Sequence, residues 1–141
     1  MNKKTSELDF ELKNTANLDS FLENNIMEFD DKNFYKLLNG LIEESGKSKF
    51  CIAVDSCISE PFIYNLLKAE KRPARDTVIK LSFGLKLPLE LSERLLQLAG
   101  YSGLYVRHKR DSILKFALVN GLSLVDADGL LMEYGYSIIS D

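Results

Sequence analysis

Few residues in this chain have the chemistry of a catalyst. His108 is the only histidine, and it stands inside the cationic run Arg107-His108-Lys109-Arg110, a setting that suits a solvated loop better than a base paired with a nucleophile. No Gly-x-Ser-x-Gly element and no glycine-rich phosphate loop occurs, and the acidic residues are scattered at helix starts and exposed phases. Cys51 and Cys57 lie six apart with no second pair and no neighbouring histidine, which supports neither a zinc site nor a disulfide framework. Two buried or half-buried free thiols are expected, with no metal, no cofactor and no enzymatic activity. What remains is cationic chemistry. Lys68, Lys71, Arg72 and Arg75 follow one another closely and could form a phosphate-binding stripe, provided that the surrounding elements turn them to one face.

The charge distribution points to the same segment. Net charge is -3, but residues 1–31 hold three lysines against eight carboxylates, whereas residues 32–86 hold ten Lys and Arg against six carboxylates. A phosphate-binding face, if there is one, belongs to the middle of the chain.

The elements that would position it read as helices, because apolar residues recur at three and four and strand-like alternation is missing. After a polar lead-in, Asn17 is expected to cap a short helix with Leu18, Phe21, Leu22 and Ile26 inward. Phe34, Leu37, Leu38, Leu41 and Ile42 then share a stripe that Gly46 stops. A short helix starts at Ser48, buries Ile52 and Ala53, and breaks near Ser56 and Cys57. Another follows Ser59, a good N-cap with Pro61 in the first turn, and ends before Pro73. Ile58 would plug the turn between them, and Ile63, Leu66 and Leu67 would hold the second helix down. Two short helices joined by so tight a turn fit a helix-turn-helix layout, with Glu60, Pro61, part of Phe62, Tyr64, Asn65 and Lys68 facing outward.

The rest of the chain is a repeat. Residues 72–104 align without gaps on residues 107–139, an offset of 35, with eleven identities in 33 pairs that include Arg75/Arg110, Asp76/Asp111, Gly100/Gly135 and Tyr101/Tyr136. Each copy reads as an αα-hairpin, turning at "LPL" or "LSL" and ending at Gly-Tyr-Ser. Only the first copy follows a candidate recognition helix, so the recurring Arg-Asp pair is better explained locally. Asp76 and Asp111 start helices, and Arg75 and Arg110 brace the hairpin through nearby carboxylates or carbonyls.

In order and spacing, "ISEPFIYNLLKAEKRPARDTVIKLSFGLKL", "LLQLAGYSGLY", "RDSILKFAL" and "GLSLVDADGLLMEYG" resemble the Cro/lambda-repressor-like (XRE-type) helix-turn-helix regulators. Among these it is more similar to small bacterial members with a C-terminal helical extension, and the likeness runs from about residue 18 onward. The resemblance implies an all-α fold: a five-helix DNA-binding domain over 32–104, preceded by an acidic arm with a short helix (1–31) and followed by a helical hairpin (105–141) packed on the same globule. It also implies sequence-specific binding of double-stranded DNA, regulation of transcription and a homodimer. By position, Glu60, Pro61, Phe62 and Asn65 fall where relatives face base edges, with Tyr64 beside them, and Ser48 and Lys49 fall where relatives hold phosphate. Lys68, Lys71 and Arg72 would add phosphate contacts. Cys57 stands where relatives often carry Gly or Asn in the turn, and Ala69 where they carry Gly after the recognition helix, positions that call for a positive φ. Glu60 and Pro61 replace amides and hydroxyls.

A second reading stays open, that of a protein-interaction adaptor or antirepressor on a degenerate helix-turn-helix scaffold, with a protein partner bound through the acidic arm or the C-terminal hairpin. The arm could also lie against the basic middle segment and restrain DNA binding. Tyr134, Tyr136 and Ile138, on an outward phase of the second repeat, are the expected dimer surface. No signal peptide or membrane-spanning run is apparent, so the expected location is the cytoplasm, away from any membrane.

Overall fold

Local capping chemistry sets most of the helix starts. In the computed structural model, which describes residues 3–68 and 72–140 apart from the side chains of Met27, Asp31 and Lys32, the hydroxyls of Ser48, Ser59 and Ser123 accept the N–H groups of Cys51, Phe62 and Asp126. The helices so begun are α4 (Lys49–Ser56), α5 (Glu60–Leu67) and α9 (Leu124–Glu133). Asn17 caps α2 (Leu18–Asn24) in the same way, and α3 (Asp30–Ser45) stops at Gly46, whose φ of 67° is left-handed. With α1 (Thr5–Asn14), α6 (Arg75–Gly84), α7 (Leu89–Leu98) and α8 (Lys109–Val119), the described residues form nine α-helices and no strand.

One apolar core runs through α3 to α9. Phe34, Leu38, Ile52, Ile63, Ile79, Leu81, Leu95, Leu96, Leu114 and Leu131 are buried in it together, so the second repeat shares the core of the first. Helix α6 lies at its centre, packed against α4, α7 and α9. At the α4 crossing, Gly84 admits Ser56: a Cβ on residue 84 would lie 1.7 Å from Ser56 Oγ.

The duplication in sequence is a duplication in structure. Shifting α6 and α7 by 35 residues gives the bounds of α8 and α9 shortened by one residue at the start of α8 alone. The helix ends repeat too. Lys86 and Gly121 take φ of 52° and 65°, and Gly100 and Gly135 take 88° and 86°. Tyr101 N–H donates to Leu96 O and Tyr136 N–H to Leu131 O, both at 2.8 Å, closing equivalent helix ends.

The two hairpins meet reciprocally. Arg75 reaches Asp111, and Arg110 reaches Asp76; α6 packs on α9 as α7 packs on α8. Contacts that exchange in this way are the mark of an approximate two-fold axis between the copies, whereas stacked repeats would contact head to tail. The bracing expected of the two arginines is therefore present, but it runs between hairpins.

The N-terminal arm departs from expectation. It contains two α-helices, and α1 buries none of its residues. A polar network orders it: Lys3 Nζ donates to Glu11 Oε1 and Asn25 Oδ1, both at 2.6 Å, and Asn25 Nδ2 donates to Glu11 Oε2 at 3.0 Å. Hydrogen bonds from Lys3, then Asn25, hold the Glu11 carboxyl below its ordinary range against a smaller effect of burial. Only Phe21 of the expected inward stripe is buried, edge-on to Phe29, while Leu18, Leu22 and Ile26 are 58, 42 and 58 % exposed. Periodicity shows which residues share a face; it does not supply a surface to cover it. The arm reaches the rest of the chain through a 3-10 turn, Ile26–Glu28, that packs on α3. No single helix among the described residues is long and apolar enough to cross a membrane.

Candidate nucleic-acid interface

Helices α4 and α5 are joined by the three residues Cys57, Ser59 and, between them, Ile58, and their axes bend by 111°. The turn is made by Cys57, at φ 53° and ψ 41°, whose N–H closes α4 onto Ala53 O and Val54 O. A left-handed residue here ends α4 abruptly, and Ile58, half-buried against the core, anchors the redirected chain. Ile63 and Leu66 fix the inner side of α5, so its outer side is determined: Pro61, Phe62, Tyr64, Asn65 and Lys68 are exposed, and Glu60 is half-exposed.

Across the bend, the start of α4 joins this face. Lys49 Nζ lies 4.9 Å from the centre of the Tyr64 ring, a cation–π contact that unites an expected phosphate ligand with an expected base-facing residue. Ser48 is exposed, with its Oγ engaged as the N-cap. The two helix starts differ electrically. The first turn of α4 carries no acidic residue and presents Lys49, whereas that of α5 carries Glu60. An anion is favoured at the first and repelled at the second. Phosphate therefore suits α4, and α5 is left to neutral or donor edges.

Arg72 also has partners inside the chain. Its Nε donates to Ala99 O at 2.6 Å and one Nη to Gly100 O at 2.8 Å, and the guanidinium lies 4.0 Å over the Tyr101 ring, whose hydroxyl donates to Pro73 O. It caps the end of α7 and closes the connection into α6. The residue still edges an open groove of about 490 Å³ that Phe62, Asn65 and Thr77 also line. Lys71 and Ala69 lie outside the described residues.

Several expectations need correction. Cys51 and Cys57 are exposed thiols, not buried ones: Cys51 lies on the outward phase of α4, and the left-handed turn points Cys57 to solvent. His108, expected in a solvated loop, is exposed just before α8, edge-on to Tyr105. Of the expected dimer residues, Tyr134 is exposed, but Tyr136 and Ile138 are half-buried, and Tyr136 packs on the core. Sequence reading also missed Phe50 and Val54, exposed by 60 and 58 % on α4. Their phase, opposite to Ile52, Ala53 and Ser56, was the available signal.

The face thus combines aromatic and apolar groups (Phe50, Val54, Phe62, Tyr64), the amide of Asn65 and the cations Lys49 and Lys68. Among the described residues, no group of His, Cys, Asp and Glu could hold a metal ion. No family model, curated protein or solved structure matches the chain.

Proposed function

We propose that the chain is a cytoplasmic regulator of transcription that binds duplex DNA through α4 and α5, used as a helix-turn-helix within a lambda-repressor-like arrangement of helices. The observation that carries the proposal is the pair of short helices bent by 111° about a left-handed Cys57, which holds α5 by its inner side and leaves Asn65, Tyr64, Phe62 and Lys68 free. In this reading the start of α4, with Lys49, takes a backbone phosphate, and Lys68 takes another. Asn65 pairs with an adenine edge, and Phe62 lies against a thymine methyl or sugar. Glu60, half-exposed at the start of α5, accepts from cytosine N4 or stays outside the contact.

Selection of bound sequences from a random duplex library, followed by salt titration on the selected site, tests this. Binding should weaken steeply with salt, and Lys49→Ala and Lys68→Ala should each lower the slope by about one. Arg72→Ala should instead lower the thermal midpoint and leave the slope alone. A library that yields no enriched sequence at low salt would end the DNA reading.

One observation favours a second reading. Phe50, Val54, Phe62 and Tyr64 expose apolar surface on the same two helices, in a chain of net charge -3. A protein-docking adaptor would use that surface, and its binding would respond to Phe50→Ser and change little with salt.

A further inference from the structure

Gly40 stands in the middle of α3, where glycine has no purpose inside the chain. A Cβ at this position would meet no atom within 4 Å, and an interior glycine makes a helix less stable than alanine would. Gly84, by contrast, is explained by Ser56 pressed against it. Gly40 lines an open groove of about 510 Å³ between α3 and α7, whose floor includes the half-buried Leu37, Leu41 and Leu91. Lys36, Glu44 and Arg94 rim the groove, and among the described residues none of the three has an ion-pair partner.

The order of these groups is self-complementary. Lys36 and Glu44 lie one helical repeat of four residues before and after Gly40, on one stripe of α3. We infer that a second copy of the chain docks in this groove, α3 against α3 and antiparallel, about a two-fold axis at Gly40. Lys36 then meets the partner's Glu44, and Glu44 meets the partner's Lys36, while the missing side chains at Gly40 let the two backbones approach. A ligand of one charge sign, nucleic acid included, would find one end of the rim repulsive. Gly129 in α9 is equally unexplained, with Val125 and Met132 exposed on its helix, but a two-fold axis there would set Glu133 against the partner's Val125 and Asp126 against the partner's Met132, so neither carboxylate would meet a cation. The inference does not rest on DNA binding and is tested without DNA.

Sedimentation of the full-length chain at moderate salt should give a dimer. Gly40→Gln, which fills the gap with a good helix former, should dissociate at a concentration about tenfold higher or more, a loss of roughly 1.4 kcal/mol, while its helical content and thermal midpoint match or exceed those of the parent at equal dilution. Lys36→Glu and Glu44→Lys should each be monomeric alone and should dimerise when mixed, because only the mixture restores both ion pairs. A parent chain that stays monomeric at every concentration overturns the inference, as does Gly40→Gln dimerising like the parent, or failure of the two charge variants to associate on mixing.

Discussion

Arg75 and Asp111 form a bidentate pair, with Nη1 and Nη2 each 3.0 Å from a carboxylate oxygen, and the Asp111 side chain is 7 % exposed where that of its counterpart Asp76 is 46 % exposed. Two sequence-equivalent pairs thus sit in unequal surroundings. Arg75 also donates to Gly103 O at 3.0 Å, so its loss removes a carbonyl's partner and leaves the buried carboxylate without its counter-charge, with only Tyr105 N–H still donating to it. We expect Arg75→Ala to cost roughly 3 kcal/mol, the low end for breaking a buried pair. Arg110→Ala should cost about 1 kcal/mol or less, as exposed pairs do. Urea denaturation of the two variants should separate them; equal losses would show that the local environments do not matter.

The same pair makes stability depend on acid. Burial works to raise the Asp111 carboxyl, but hydrogen bonds from Arg75 and from Tyr105 N–H outweigh it, and the group lies below the ordinary carboxylate range when folded. A depressed carboxyl contributes stability that is fully present above its unfolded value of about 4 and is lost as pH falls through the lower folded value. Asp111→Asn should therefore be less stable than the parent at neutral pH, with the difference shrinking on acidification below about pH 4. Thermal midpoints across that range measure it, and a constant difference would contradict the assignment.

Ser56 and Gly84 make a paired test of the α4 crossing. Ser56 Oγ is buried without a hydrogen-bond partner among the described residues, so Ser56→Ala should be neutral or stabilising by up to about 1 kcal/mol. Gly84→Ala places a methyl 1.7 Å from that oxygen and 2.9 Å from Ser56 Cβ, and should cost about 1 to 3 kcal/mol. In the double variant the loss should be only partly recovered, because the second clash persists. Full additivity in denaturation would mean that α4 and α6 part more easily than their packing suggests.

At Cys57 the backbone asks for glycine. Its φ of 53° costs an L-residue about 1 kcal/mol, and the exposed thiol offers little packing in return. Cys57→Gly should raise stability by up to about that amount, and Cys57→Val should lower it. Both thiols should be alkylated in the native protein at rates near those of the denatured chain. Protection of either one would place it in an interface.

What could be read in advance divides along the range of the interactions. Helix starts at Ser48, Ser59 and Asn17 and the stop at Gly46 were legible because a cap acts within three residues of itself. The offset of 35 carried through to φ values at Lys86, Gly100, Gly121 and Gly135 because identical helix ends close identically. The positive φ that the resemblance implied at Cys57 is present as well. The bracing role of Arg72 was invisible because its partners, Ala99 and Gly100, lie 27 and 28 residues away and are carbonyls that any sequence carries. The order of α1 was equally invisible, since Lys3, Glu11 and Asn25 form a polar network with no periodicity to announce it. At the α4–α5 face, phase showed which residues point outward; the closeness of Lys49 to Tyr64 required the bend itself.

Residues 75–98 and 110–133 hold each other as the subunits of a symmetric dimer do, each lending its arginine to the other's aspartate. The peptide that links them has the role of a tether: it raises the effective concentration of an association whose specificity is carried by both halves. A chain nicked in the exposed stretch Val106–Arg107–His108 is accordingly expected to remain one particle, its fragments kept together by a shared core and two reciprocal ion pairs. The C-terminal hairpin is in that sense less an appendage than a partner subunit made permanent by covalent fusion.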